Sequence, residues 1–173
     1  MTLTIRALAA DEAGQCAAAL AEVLVDCVEG GASVGFMAPL DRERAAAFWR
    51  GVAEGVGRGE RVLLVAEAEG SLVGTVQLVF AQPENQPHRA DVAKMLVHRR
   101  GRRRGVAVAL LAAVEDAARA AGKDVLVLDT VTGSDAERLY ARAGWQRVGV
   151  VPGYALMPDG RRCDTTYFYK HVA

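Results

Sequence analysis

The stretch Val97-His98-Arg99-Arg100-Gly101-Arg102-Arg103-Arg104-Gly105-Val106-Ala107 carries the most legible chemistry of this chain. Five arginines fall within positions 99–104, punctuated by glycine, after a β-like run and before an alanine-rich helical segment. Arg102-x-x-Gly105-x-Ala107 puts small residues where a helix begins, so main-chain N–H groups can close on a ligand with no Cβ in the way. The first N–H groups of a helix lack intrahelical partners and sit at the positive end of its dipole, which makes an anion site. A diphosphate fits this turn, and the residues point to a phosphate-bearing cofactor. The remaining reactive side chains form no comparable constellation. His88, His98 and His171 lack ligand spacing, and no metal site is expected. Cys16 and Cys27 share a helical segment and stand roughly 16 Å apart along it, too far to bridge. Cys163 has no evident neighbouring base to make it a nucleophile. An odd, unpatterned set of thiols fits a reducing, cytoplasmic compartment.

The elements that must position the arginine turn follow from periodicity. Residues 2–7 alternate weakly as a first strand. From Asp11, apolar residues Cys16, Leu20, Val23, Leu24 and Cys27 recur at helical spacing until Gly30-Gly31. After a loop over 32–40, Asp41 is a plausible N-cap for a second helix carrying Ala45, Phe48, Trp49, Val52 and Val56. Segments 61–68 and 72–80 read as strands joined across Glu69-Gly70, a hairpin signal. Segment 89–97 is a further strand, 105–121 a helix ended by Gly122-Lys123, 125–129 a strand, 135–143 a helix and 145–151 a strand. A Pro158-Asp159-Gly160 turn precedes a last strand over 165–172. The order β-α-α-β-β-β-α-β-α-β-β, with no repeat and no linker, predicts one domain over residues 1–173. It is α+β or mixed α/β, with a largely antiparallel sheet and about four helices. The strand–turn–helix–strand unit at its centre should be parallel, because its crossover contains a helix.

Composition narrows the function classes. The chain has 173 residues, 21 Lys and Arg against 21 Asp and Glu, and a formal net charge of zero. The arginine cluster is therefore a local device, which weighs against a dedicated nucleic-acid binder. No apolar run reaches the ~20 residues needed to span a bilayer. The first residues show no basic segment followed by a long apolar one, so no secretory signal is expected and the expected location is cytoplasmic.

Two motifs together identify a resemblance. Arg102-Arg103-Arg104-Gly105-Val106-Ala107 matches in register the Arg/Gln-x-x-Gly-x-Gly/Ala motif of the GCN5-related N-acetyltransferase (GNAT) superfamily. At the family's distance, Ala136-x-x-Leu139-Tyr140-x-x-x-Gly144-Trp145 is similar to its A-x-x-L-Y-x-x-x-G-F segment. A finer resemblance, to the tabtoxin-resistance acetyltransferases, covers residues 30–37, Val148-Gly149, Pro152-Gly153-Tyr154 and Pro158-Asp159-Gly160. Those enzymes N-acetylate a β-lactam amino acid.

The resemblance implies a twisted sheet of about seven strands, with a central parallel pair splayed at an acetyl-CoA site. It implies that main-chain groups of Arg102, Arg103, Arg104, Gly105, Val106 and Ala107 hold the pyrophosphate, with Arg99 or Arg100 near the 3′-phosphate. Met95, Leu96 and Val97 would present backbone to the pantetheine and supply an oxyanion donor near 96–97. Where many members carry Asn this chain has Gly133; either Ser134 serves instead or that role is absent.

Acyl transfer to an amine needs a neutral amine, a stabilised oxyanion and a proton for the departing thiolate. The resemblance assigns the last to Tyr140, whose unperturbed pKa near ~10 keeps it protonated at neutral pH. Asp91 and Asp129, on the two strands of the parallel pair, are the candidate base or ammonium-binding groups. Ser33, Phe36, Met37 and Tyr154 are the candidate substrate contacts. The leading expectation is acetyl transfer from acetyl-CoA to a primary amine of a small, amino-acid-like molecule, without nucleic-acid, membrane or metal partners. A protein N-acetyltransferase and a non-catalytic acetyl-CoA sensor are the alternatives. Superfamily members are often dimers, and a homodimer is compatible with the resemblance.

Overall fold

The computed structural model describes residues 2–173. Seven strands form one sheet in the order β1-β2-β3-β4-β5-β7-β6. They are β1 Leu3–Ala7, β2 Arg61–Ala68, β3 Ser71–Phe80, β4 Arg89–Val97, β5 Val125–Val131, β6 Gln146–Leu156 and β7 Arg162–His171. Every neighbouring pair is antiparallel except β4 and β5, the parallel pair that the intervening helix requires. The mixed α+β class, the central parallel pair and the seven strands agree with the sequence expectation. β6 and β7 are longer than periodicity indicated, because β6 is mostly solvent-exposed and carries no apolar alternation at its end.

Five α-helices cover the two faces: α1 Ala10–Gln15, α2 Ala17–Glu29, α3 Arg42–Gly57, α4 Val106–Ala120 and α5 Asp135–Arg142. The first helical segment is thus two helices rather than one. The chain breaks at Cys16, whose ψ of 0° ends α1 and begins α2. Gly14, costly inside a helix, stands just before the break. Asp41 caps α3 as expected, its carboxylate accepting the Arg44 N–H at 2.9 Å.

The sheet buries both faces, so its inner strands read as continuous apolar runs rather than alternating ones. On one face Leu63, Val65 and Leu96 pack against Leu20, Leu24 and Trp49 of α2 and α3. On the other, Leu64, Val76, Leu126 and Phe168 pack against Leu110 and Val114 of α4 and Tyr140 of α5. The approach of α4 to the sheet is close. A Cβ on Gly74 of β3 would stand 3.0 Å from the Leu96 carbonyl and 3.0 Å from Val106 of α4. Farther along, Glu115 of α4 receives Lys170 Nζ at 2.9 Å on each oxygen and Trp145 Nε1 at 3.1 Å. This nearly buried pair, with its remaining lone pairs satisfied, ties α4 to β7 and to the end of α5. Among the described residues no helix is long and apolar enough to cross a membrane.

Candidate active site

The parallel pair is in register only over Arg89–Val125, Ala90–Leu126 and Asp91–Val127. Beyond Asp91, β4 stays with β3 while β5 stays with β7, and the two strands part. The cause is visible in β4. Two residues, Lys94 and Met95, stand where β3 offers one, and Lys94 takes a positive φ of 51°. Such a bulge bends a strand away from its neighbour and re-aims its side chains. The gap opens into a cleft of about 630 Å³, lined among others by Asp91, Lys94, Asp129, Ser134, Tyr140, Tyr154 and Tyr167.

Main-chain direction inside the gap follows from two contacts. The His98 N–H donates to the Val73 carbonyl at 2.9 Å, and the Leu96 carbonyl lies against Gly74. Residues 96 and 98 thus face β3, so alternation along the strand turns the main-chain groups of Met95 and Val97 away from β3, where the Val97 carbonyl already accepts from Arg102 and Cys27. Met95 and Val97 leave main-chain groups unpaired with β3, as a contact with the pantetheine would require. Leu96 does not: its main chain is committed to β3, and its side chain is 2% exposed in the α2–α3 core.

The arginine turn is braced from α2. Asp26 accepts the Arg99 N–H at 2.8 Å and also the Arg99 guanidinium, and stands 3.9 Å from that of Arg102. Burial raises the pKa of its carboxyl, but the Arg99 hydrogen bonds outweigh burial and hold it below the usual carboxylate range. Arg100 pairs with Glu22 at 2.6 Å and donates to the Leu72 carbonyl at 2.7 Å. Arg99 and Arg100 are thus both paired with acids of α2, while the Arg99 side chain stays largely exposed. Arg102 closes on the Val97 carbonyl at 3.2 Å. Arg103 and Gly105 both have positive φ (60° and 76°), and Gly105 is the N-cap of α4. The free N–H groups of Val106 and Ala107 follow at once, with exposed Arg103 and Arg104 beside them. A Cβ placed on Gly105 would meet nothing within 4 Å beyond its chain neighbours, so the space beside the turn is open. A diphosphate at the helix start and an amide-bearing arm along the open edge of β4 fit these groups.

The cleft floor holds the ionisable groups. Tyr140 is 5% exposed, tilted against Trp145 and Phe168 at centroid distances of 5.9 and 6.1 Å. Burial pushes its phenol up to about 12, and the charge of Asp129 adds to the rise. Among the described residues nothing hydrogen-bonds that hydroxyl, and it is absent from the buried unsatisfied groups, so it opens on the cleft. Asp129 lies across the gap. Although the residue is open to solvent, the walls around its carboxyl desolvate it and raise its pKa. Lys94 opposes that rise and Asp91 reinforces it. Asp91 also lines the cleft and accepts from Arg89 at 2.6 Å.

The substrate contacts divide. Ser33 lines the cleft and donates to the Leu156 carbonyl at 2.7 Å, while the Ala38 N–H donates to the Pro158 carbonyl at 3.1 Å. These bonds fasten the early loop onto the β6–β7 hairpin as a roof. Tyr154 stands at the rim, its hydroxyl 2.8 Å from that of Tyr167. Phe36 and Met37 are not among the lining residues. Phe36 packs edge-on against Phe48 at 5.3 Å, and Met37 is exposed. Ser134 reaches the cleft wall, but its hydroxyl caps α5 by accepting the Glu137 N–H at 3.1 Å. Sequence reasoning missed Tyr167 and Lys94. Tyr167 enters because it pairs with Asp129 across β5–β7, and Lys94 because of the bulge. Among the described residues no group of His, Cys, Asp and Glu could hold a metal ion.

Comparison with known proteins agrees with this geometry. The chain is 37% identical over 112 residues to a protein of Azospirillum brasilense described as an uncharacterised N-acetyltransferase in the hisH–hisA intergenic region. The match takes in 64% of this chain and 65% of that protein, so the chain spans about two thirds of its relative's length. An N-acetyltransferase structure from Staphylococcus aureus Mu50 superposes with a TM-score of 0.83 at 18% identity, covering 100% of both chains. The structure of yncA from Salmonella typhimurium, described as an acetyltransferase and solved with its cofactor acetyl-CoA, superposes at 0.81 with 21% identity, over 100% of this chain and 95% of that one. At such identities these structures establish the fold. Residues 19–145, which hold the bulged β4, the arginine turn and Tyr140, match the Acetyltransferase (GNAT) family, and the chain belongs to that family.

Proposed function

We propose that the protein is an acetyl-CoA-dependent N-acetyltransferase acting on the primary amine of a small, amino-acid-like molecule by direct attack in a ternary complex. One observation carries this reading. Asp129 and Tyr140 open on the same cleft, at the point where β4 and β5 part and beside the groups that suit a diphosphate and its amide-bearing arm.

Acetyl-CoA, when bound, supplies the acetyl group as an activated thioester. The residues of this chain do the rest. Val106 and Ala107 hold the diphosphate through free N–H groups at the start of α4, and the gap-facing edge of Met95 and Val97 orients the arm. A main-chain N–H on that edge would receive the developing oxyanion. Asp129, its pKa raised by desolvation, accepts the first proton of the acceptor's ammonium so that the neutral amine can attack, with Asp91 adding negative charge beside it. Tyr140, kept protonated by burial, gives its proton to the departing sulfur and regains the one that the new amide nitrogen sheds.

The roof over the cleft favours a small acceptor over a peptide chain, which would need an open groove. The tabtoxin-resistance resemblance supports an amino-acid-like one. The test is release of free thiol from acetyl-CoA across a panel of amino acids, simple amines and lysine-containing peptides. Turnover confined to small amines supports the reading. Turnover on peptides alone replaces it with a protein acetylase, and no thiol release from any acceptor refutes it.

A further inference from the structure

Lys94 sits on the β4 bulge, half-buried in the cleft wall. Its ammonium lies 5.7 Å from the centroid of the Phe48 ring and against the early loop, where a Cβ on Gly35 would stand 3.7 Å from Nζ. Among the described residues, no hydrogen bond and no ion pair within 4.0 Å engages it. An ammonium withdrawn from water without an oxygen acceptor is costly, and an aromatic face at this range offsets only part of that cost. The desolvation is strong enough to hold the Lys94 pKa below the usual lysine value, even against the attraction of Asp129.

The opposite wall supplies the complementary charge. Asp91 is committed to Arg89. Asp129 has no cation within ion-pair distance among the described residues, yet it feels Lys94 across the gap. One carboxylate and one ammonium are thus held apart on facing walls, each short of a direct partner. A zwitterion supplies both partners at once: its ammonium meets Asp129 and its anion meets Lys94. We propose that Lys94 anchors the anionic group of the acceptor, so that the enzyme selects amines carrying a carboxylate near the nucleophilic nitrogen. This assignment rests on the acetyl-transfer reading above. The favoured substrate class is a free amino acid rather than a polyamine, an arylamine or a lysine side chain in a protein. Anchoring the carboxylate also fixes the amine beside Asp129, so Lys94 is a specificity determinant of the reaction and not a proton carrier in it.

The test separates this assignment from the activity itself. Binding is read by calorimetry in the presence of CoA, using a panel of N-acetyl amino acids and the matching N-acetyl amino acid amides as product probes. The unmodified protein should bind the best acid roughly tenfold or more tighter than its amide, because a site built around a polar contact rejects the analogue that lacks it. Lys94→Met should abolish that preference and Lys94→Arg should restore part of it, with the acetyl-CoA-induced rise in Tm kept in both. In turnover, Lys94→Met should lower kcat/KM for the free amino acid by a similar factor or more, while kcat/KM for the amide changes far less. Equal binding of acid and amide, binding of neither, or a Lys94→Met protein that keeps the preference overturns the anchor. An unmodified protein whose Tm acetyl-CoA does not move overturns the transfer reading, and the anchor with it.

Discussion

The two groups proposed to handle protons differ in how the chain prepares them, and each preparation makes a separable prediction. Tyr140 is prepared by packing: Trp145 and Phe168 enclose its ring, and burial keeps the phenol protonated up to about 12. Tyr140→Phe keeps those ring contacts and removes the hydroxyl alone. It should lower kcat by roughly 10²-fold while the affinity for acetyl-CoA, measured by calorimetry, stays nearly constant. An unchanged kcat would remove Tyr140 from the mechanism. Asp129 is prepared by desolvation, and this bears on stability as well as rate. Its folded pKa lies above its unfolded value, so the folded state favours the protonated acid. The resulting penalty is absent below the ordinary carboxylate pKa of ~3.9, develops as pH rises through the folded pKa, and is complete above it. Asp129→Asn should therefore raise Tm at neutral pH, lose that gain as pH is lowered below the carboxylate range, and remove the acid limb of the pH–rate profile. A Tm that falls at neutral pH would show that Asp129 is held by favourable contacts and is no strained base.

Elements place these residues with uneven help from the sequence. The Glu69-Gly70 hairpin was legible, since both residues adopt the positive φ (53° and 74°) of a two-residue turn. So were the parallel crossover and the start of α4, because glycine and the helical period mark them locally. The break at Cys16 was not, for the apolar spacing runs on through it. The β4 bulge was hidden for a different reason. It exists only in the pairing with β3, so Lys94 read as one more strand residue, and Leu96 as equivalent to its neighbours. Tyr167 likewise gains its place from pairing opposite Asp129. Phe36 and Met37 read as substrate contacts, but Phe36 packs on Phe48 of α3 and neither lines the cleft. At the start of α4, two substitutions separate conformation from charge. Gly105→Ala meets no atom within 4 Å but must hold a φ of 76°, at a cost of about 1 kcal/mol or roughly 2–4 °C in Tm. Gly105→Glu adds a negative charge where the pyrophosphate would sit, and should abolish the acetyl-CoA-induced rise in Tm. A normal rise in the glutamate variant would exclude this cradle as the cofactor site.

For the whole molecule, the deciding quantity is where the arginine charge goes. The chain is neutral overall, with 21 basic and 21 acidic residues, so no broad positive field surrounds the turn. Within the turn, Asp26 and Glu22 of α2 take up Arg99 and Arg100, which leaves the far side of the loop and the α4 terminus facing outward. A nucleic acid needs many phosphate contacts along a basic face, whereas a single diphosphate needs one helix start and a cradle without a Cβ. Thermal unfolding in the presence of acetyl-CoA or of a DNA duplex tests this directly. Acetyl-CoA at about 100 times its Kd should add roughly 2.7 kcal/mol of stability, which for a domain of this size is a shift on the order of 5–10 °C. The duplex should leave Tm unchanged even at low salt, where non-specific phosphate binding is strongest. A duplex that raises Tm at low salt and releases it at high salt, with no response to acetyl-CoA, would mean that the α2 acids leave more free charge than the geometry indicates. The loop would then be a nucleic-acid contact. The opposite outcome fixes the arginine turn as a cofactor clamp and makes the acceptor amine the next quantity to measure.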